Sequence, residues 1–316
     1  VLRYTPGPSN DHYLHDYALL VDEGGDDMYL NNAGGNLLDV QRGPAGSVAV
    51  RKEPARGCHT AGLDYPAPAG GTECVSAVAL LIDGAGNDTY GAFEAPDPAD
   101  DGFCTADPVV RRIATIGASL IGVGILVDGA GDDHYAGKTL ALGSGHFAGV
   151  GILRDEAGDD TYTALRNSQG YGLESGVGIL RDDTGDDAYD YYTAAPLDPT
   201  APFQRPGAGG VVDDTGLCDN LPRQMQGTAE TPGSYGILED LGGADRYHGA
   251  PLVKQPFYPI VTIHGSQGWG GTAGVGVLID DGGKDTYTGV PGHEDDRMEG
   301  PTPDSTGFFE DKNSDG

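Results

Sequence analysis

One ten-residue pattern, Leu-x-Asp-x-x-Gly-x-Asp-x-Tyr, occurs seven times in this 316-residue chain and leaves few folds open to it. The copies occupy 20–29, 81–90, 126–135, 153–162, 180–189, 238–247 and 278–287. Self-similarity of this kind marks a repeat architecture, in which each unit buries its apolar face against its neighbours. Successive copies lie 61, 45, 27, 27, 58 and 40 residues apart, so the minimal unit is 27 residues and the other intervals carry insertions. Gly-Val-Gly-Ile precedes the Leu at 122–125, 149–152 and 176–179, with Gly-Val-Gly-Val at 274–277. A Gly recurs twelve residues before the first Asp, as Gly143, Gly170 and Gly268.

Short β-branched stretches on either side of a Gly-Asp turn read as strands. A unit of 27 residues is too short for a propeller blade of about 40–45. It suits one coil with three short sides. The expected fold is all-β, a parallel β-solenoid of about seven rungs over residues 1–290, followed by a polar C-terminal tail at 291–316. Alternate residues of a strand face opposite sides. Gly149, Gly151 and the invariant Leu share the parity expected to point inward, while Val150, Ile152 and Arg154 share the other. The outward parity makes an apolar stripe, which marks either an interface or a flattened coil covered on both sides. Insertions at about 30–70, 91–115, 190–226 and 248–264 are rich in Pro and Gly, and are expected to leave every coil at one corner, between Tyr and Gly.

Composition narrows the function. With 54 Gly, the chain is a poor helix former. Forty-nine acidic against 18 basic residues give a formal charge of −31. Such a surface repels phosphate backbones and anionic headgroups, which argues against nucleic-acid and membrane-surface partners. No apolar run approaches the ~18–20 residues of a membrane span. A salt-adapted surface or charge-driven disorder would explain the acidity blandly. The placement of the Asp residues points instead to bound cations.

The first Asp of each copy is Asp22, Asp83, Asp128, Asp155, Asp182, Asp240 or Asp280, and the second is Asp27, Asp88, Asp133, Asp160, Asp187, Asp245 or Asp285. Stacked ~4.8 Å apart, these carboxylates would repel one another along one edge unless neutralised. Ca²⁺, which takes 6–8 oxygens in flexible geometry, suits such turns better than Mg²⁺. Zn²⁺ lacks its His and Cys ligands here. The position before the second Asp holds Asp26, Asn87, Asp132, Asp159 and Asp186, then Ala244 and Lys284, which suggests binding that weakens toward the C-terminal end. The competing account is an Asx-turn, with Asp serving only local hydrogen bonds. The seven motif Tyr are expected to form a stacked ladder.

The turn Gly129-Ala130-Gly131-Asp132-Asp133-His134-Tyr135 resembles the RTX, or haemolysin-type, calcium-binding nonapeptide. The resemblance implies Gly131 as the motif Gly, Asp133 as a ligand and Tyr135 as the apolar plug, with several Ca²⁺ held between successive rungs. It departs from that family in having Asp at the first Gly position, Tyr at the apolar position and one motif per 27 residues. A second signal, Asp311-Lys312-Asn313-Ser314-Asp315-Gly316, matches the opening of an EF-hand-like loop or a polar tail.

All four cysteines fall in the insertions. An even count without CxxC reads as disulfides in an oxidising, extracellular or cell-surface setting, with Cys58–Cys74 and Cys104–Cys218 the preferred pairing. The eight His show no metal-ligand spacing, and no nucleophile or phosphate-binding motif is present. Two functions stay open. One is a secreted structural or adhesive protein that self-associates laterally or head to tail through uncapped solenoid ends. The other is a glycan-binding or glycan-cleaving solenoid, with Arg154 and Arg181 on neighbouring rungs facing an anionic polymer.

Overall fold

The computed structural model describes residues 2–14, 17–36, 38–42, 48–51, 63–64, 77–91, 111–113, 115–191, 226–248, 267–271, 273–288 and 306–311. Every regular element among them is a strand, and none is a helix able to cross a membrane. The chain is a parallel β-solenoid, with three sheets forming the sides of its coils.

The first side is a nine-stranded parallel sheet. Its strands are Leu2–Thr5, Leu19–Asp22, Ala77–Ile82, Gly122–Val127, Val150–Asp155, Val177–Asp182, Tyr235–Asp240, Val275–Asp280 and Thr306–Asp311. The second side is an eight-stranded parallel sheet that runs from His12–Tyr13 through each motif Tyr to Thr286–Thr288. The third is built on Ser119–Leu120, Gly145–His146 and Gly172–Leu173, and single bridges extend it to Asn36, Ala229 and Gly270. The motif itself sets the register. Gly151 pairs with Gly178, Leu153 with Leu180 and Asp155 with Asp182, so like residues stack on like.

Parity along the first side follows the expected alternation, with Val150–Asp155 alternating half-buried and buried. The inward row contains the seven motif Leu, all at most 1% exposed. Burying each Leu contributes about 1.5–3 kcal/mol. The interior is narrow: a Cβ on Gly151 would lie 2.1 Å from the Ser144 carbonyl oxygen on the opposing side. The aromatic ladder is present and longer than the motif count. Tyr13, Tyr29, Tyr90, Tyr135, Tyr162, Tyr189, Tyr247 and Tyr287 stack with centroids 4.7–4.9 Å apart and planes within 12°.

The outward row is also ordered into columns. One runs Val78, Val123, Val150, Val177, Tyr235, Val275. The next runs Leu19, Leu80, Ile125, Ile152, Ile179, Ile237, Val277, Phe308. None of these residues is buried.

Three expectations need correction. The first insertion does not leave at the common corner. Asn31–Asn36 already forms the third side, because Ile125 N donates to Gly34 O just as Ile152 N donates to Gly117 O. The extra residues therefore follow Asn36, whereas those after Tyr90, Tyr189 and Tyr247 precede the third side. Secondly, the insertions are more than loops: Leu38–Arg42, Val48–Arg51, Leu63–Asp64 and Arg111–Ile113 form a four-stranded antiparallel sheet. Thirdly, there are rungs beyond the seven motif copies. Leu2–Thr5 and Thr306–Asp311 are the two edges of the first sheet, so part of the C-terminal tail continues the solenoid. Arg3 pairs with Leu20 in the Leu row, and its guanidinium sits 5.3 Å above the Tyr13 ring. A charge in an inward row of an edge strand discourages further strand addition.

The invariant turn Gly has a steric cause. Gly131 has φ +153°, and a Cβ there would lie 1.5 Å from the Gly86 carbonyl oxygen on the rung below. Strained backbone alone costs about 1–3 kcal/mol. Gly131→Ala must also push two rungs apart, so its thermal midpoint is expected to fall by more than about 10 °C, at roughly 2–4 °C per kcal/mol. An unchanged midpoint would show that the turns are not packed this tightly.

Candidate metal centre

Each motif Asp has a distinct place in the turn. The first Asp closes an Asx-turn: Oδ1 of Asp128, Asp155 and Asp182 accepts from the backbone N–H two residues on, at 3.0–3.2 Å. Its Oδ2 accepts from the Tyr hydroxyl of the rung before. Tyr135 donates to Asp155 at 2.5 Å, Tyr162 to Asp182 at 2.6 Å and Tyr189 to Asp240 at 2.9 Å. Tyr29 donates likewise to Asp83, and Tyr90 to Asp128. Burial and the adjacent carboxylates raise the phenol pKa values, so these hydroxyls stay protonated donors. The Asx-turn account is thus correct for one oxygen of the first Asp.

The second Asp ties rungs together. Oδ1 of Asp88 accepts from Asp27 N at 2.6 Å, and Oδ1 of Asp133 accepts from Asp88 N at 2.6 Å. The same bond links Asp133 to Asp160, Asp160 to Asp187, Asp187 to Asp245 and Asp245 to Asp285 at 2.7–2.8 Å. The other oxygen of Asp27, Asp88 and Asp133 accepts from the hydroxyl of its own motif Tyr at 3.3–3.5 Å. Oδ2 of Asp160, Asp187 and Asp245 is buried with no hydrogen-bond partner. A buried, unpaired carboxylate oxygen is costly and calls for a proton or a cation.

Together the two Asp rows bring carboxylates into trios: Asp27, Asp83 and Asp88; Asp88, Asp128 and Asp133; Asp133, Asp155 and Asp160; Asp160, Asp182 and Asp187. Within each, one oxygen per residue lies within 4.8 Å of the others, and seven such acidic groups occur among the described residues. All these carboxylates are at most 3% exposed. No Lys or Arg forms an ion pair with these nine carboxylates among the described residues; in a further trio, Asp11 lies 3.9 Å from Arg3. Two unit charges at this separation repel by about 3 kcal/mol at an effective dielectric constant near 20. Without a cation, burial first and the neighbouring carboxylates second push Asp133 up to about 10, Asp160 to about 11 and Asp187 to about 10. Asp88 rises to about 9, Asp182 and Asp245 to about 8, and Asp27, Asp128 and Asp280 to about 7, with burial the largest cause throughout. The donor set is all oxygen, and the leftover atoms point into the column. These residues fit a hard divalent cation.

The sequence grouped five more oxygen donors with this set, and the structure places them elsewhere. Asp26, Asn87, Asp132, Asp159 and Asp186 are exposed. Oδ1 of each accepts the backbone N–H of the equivalent residue on the next rung, at 2.8–3.2 Å. They form an outer row of staples, and they do not enter the trios named above. Ala244 cannot make this bond to Lys284, which explains the loss of pattern at the end without invoking graded affinity. Asp285, on the last complete turn, is only half-buried.

The same rows extend to residues that the motif search missed. Asp11 joins Asp22 and Asp27 in a trio, Tyr13 heads the aromatic ladder, and Asn10 Oδ1 accepts from Asp26 N at 3.1 Å. Asn10-Asp11-His12-Tyr13 repeats the second half of the motif, as in Asn87-Asp88-Thr89-Tyr90. At the other end Asp311 pairs with Asp280, which puts the expected EF-hand-like segment at the first-Asp position of a further rung. Residues 312–316 lie outside the described residues.

The remaining candidates resolve simply. Arg154 pairs with Glu156 at 3.1 Å and Asp183 at 2.5 Å, while Arg181 pairs with Asp183 at 2.6 Å and Glu239 at 3.0 Å. Both guanidinium groups are therefore already occupied by acids of the same face. His146 is buried against Tyr171, 5.4 Å between ring centroids, in a packing role. Cys58, Cys74, Cys104 and Cys218, and their pairing, lie outside the described residues. Comparison with known protein families, with curated proteins and with solved structures finds no match.

Proposed function

We propose that this chain is an extracellular structural repeat protein whose solenoid is held together by Ca²⁺ in the acidic column. The observation that carries the reading is the stack of buried Asp trios without countercharge, with Oδ2 of Asp160, Asp187 and Asp245 unpartnered. Each rung contributes two buried carboxylates. One divalent ion per interval neutralises them, whereas a monovalent ion leaves one charge per rung. Ca²⁺ fits better than Mg²⁺ because shared carboxylates do not supply a strict octahedron with retained waters. The RTX resemblance, carried by the turn residues, agrees with this choice. A rigid cation-filled rod suits a spacer or adhesive role, and secretion would supply both the calcium and the oxidising conditions for the four cysteines. The occupied Arg154 and Arg181 give the glycan-cleaving alternative no support.

Terbium luminescence tests the binding reading. The Tyr hydroxyls reach the Asp trios directly, so Tb³⁺ bound there is expected to emit when Tyr is excited, and Ca²⁺ is expected to quench that emission by displacement. No sensitised emission with the folded protein would contradict it.

A further inference from the structure

We infer that the outer face of the nine-stranded sheet is a self-association surface that packs against the same face of a second copy. This does not rest on the metal reading. A contiguous apolar face left on the outside of a sheet marks an interface. Here the inner face is the solenoid core, yet the outer face carries two unbroken apolar columns, one from Val78 to Val275 and one from Leu19 to Phe308. Val78 is 56% exposed, Tyr235 47% and Phe308 43%. A solenoid that only met water there would alternate polar residues outward.

Size argues for a partner of protein dimensions. Nine strands at about 4.8 Å spacing, seven of them six residues long and two of them four, give a face of roughly 38 by 20 Å at its widest. That is close to the ~800 Å² that each partner contributes to a standard interface. Shape argues for a second copy. The columns repeat at the strand spacing along the whole face, and flat sheets pack in alignment about 10 Å apart with their side chains interdigitated. Another solenoid face offers the same repeat over the same length. Charge argues the same way. The third outward column mixes Val21, Ile82, Val127 and Ile279 with Arg154, Arg181 and Glu239, and the arginines are already paired with Asp183 and Glu239, so this side of the face is part apolar and part internally neutralised charge. An apolar centre with a polar rim is the ordinary anatomy of an interface.

Sedimentation of the full chain in calcium-containing buffer at physiological salt tests the inference. The wild type is expected to be dimeric at micromolar concentration, and Ile179→Arg monomeric with its circular dichroism unchanged. A wild type that stays monomeric would overturn the proposal, as would an Ile179→Arg variant that still dimerises. Should Ile179→Arg fail to fold, Tyr235→Ser at the exposed side of the face decides in the same assay, by the same two outcomes.

Discussion

Stripped of divalent cations at neutral pH, the protein is expected to lose its fold. The reason is a comparison of magnitudes. A ligand present at about a hundredfold over its dissociation constant stabilises the native state by about 2.7 kcal/mol per site. Seven acidic groups at that level give about 19 kcal/mol, more than the 5–15 kcal/mol by which ordinary domains are stable. Removal also leaves buried carboxyls that must either take up protons or repel one another, so the loss is greater than that of the cations alone. Metal affinity in such a fold is folding energy. Near-ultraviolet circular dichroism reads the effect through the Tyr stack: its signal should vanish with chelator and return with Ca²⁺. A midpoint and spectrum indifferent to chelator would mean that the column is not held by cations.

The second large effect is a reversal of pH dependence. In the metal-free chain the carboxyls of Asp133, Asp160 and Asp187 have pKa values raised to about 10, 11 and 10, against about 3.9 when unfolded. Between those limits the native state holds more protons than the unfolded one, so stability must fall as pH rises. The metal-free protein is therefore expected to be most stable near pH 4, to weaken as pH rises, and to have lost its fold by neutral pH. In the calcium-loaded protein the carboxylates are ligands, and protons compete with the metal. Its stability should instead be high at neutral pH and fall on acidification below about pH 5. Near-ultraviolet circular dichroism from pH 4 to 9 should show the stripped protein folded only toward the acid end and the loaded protein folded at neutral pH. Parallel profiles would contradict the assignment of the column.

Much of this was legible in the sequence because a stacked repeat translates spacing directly into space. The invariant Leu, Asp and Tyr became three rows, and the parity of Gly151 and Ile152 separated core from surface. What escaped had particular causes. The N-terminal rung has Thr5 where others have Asp, and eight residues from Thr5 to Tyr13 where others have seven, so no fixed template finds it. The last edge strand has Phe309 at the Leu position. The exposed row at Asp26, Asn87, Asp132, Asp159 and Asp186 misled for a chemical reason. An oxygen needed to accept a backbone N–H looks, in sequence, like an oxygen needed for a metal. Only stacking distinguishes the two, since neighbours in the turn point to opposite sides. The corner used by the first insertion was hidden because Gly34 lacks the surrounding residues that mark Gly170 and Gly268. The bonds from Tyr135 to Asp155 and from Tyr162 to Asp182 were also invisible, because donor and acceptor lie on different rungs.

Occupancy of the buried Asp column decides between cations and protons as the species that hold it. Elemental analysis of the purified protein, dialysed against calcium-containing buffer and then freed of unbound ion, measures that directly. One calcium for each of the seven acidic groups, about seven per chain, is the expected result. A folded chain that retains none would contradict the claim, and would leave protons as the only species holding the Asp trios together.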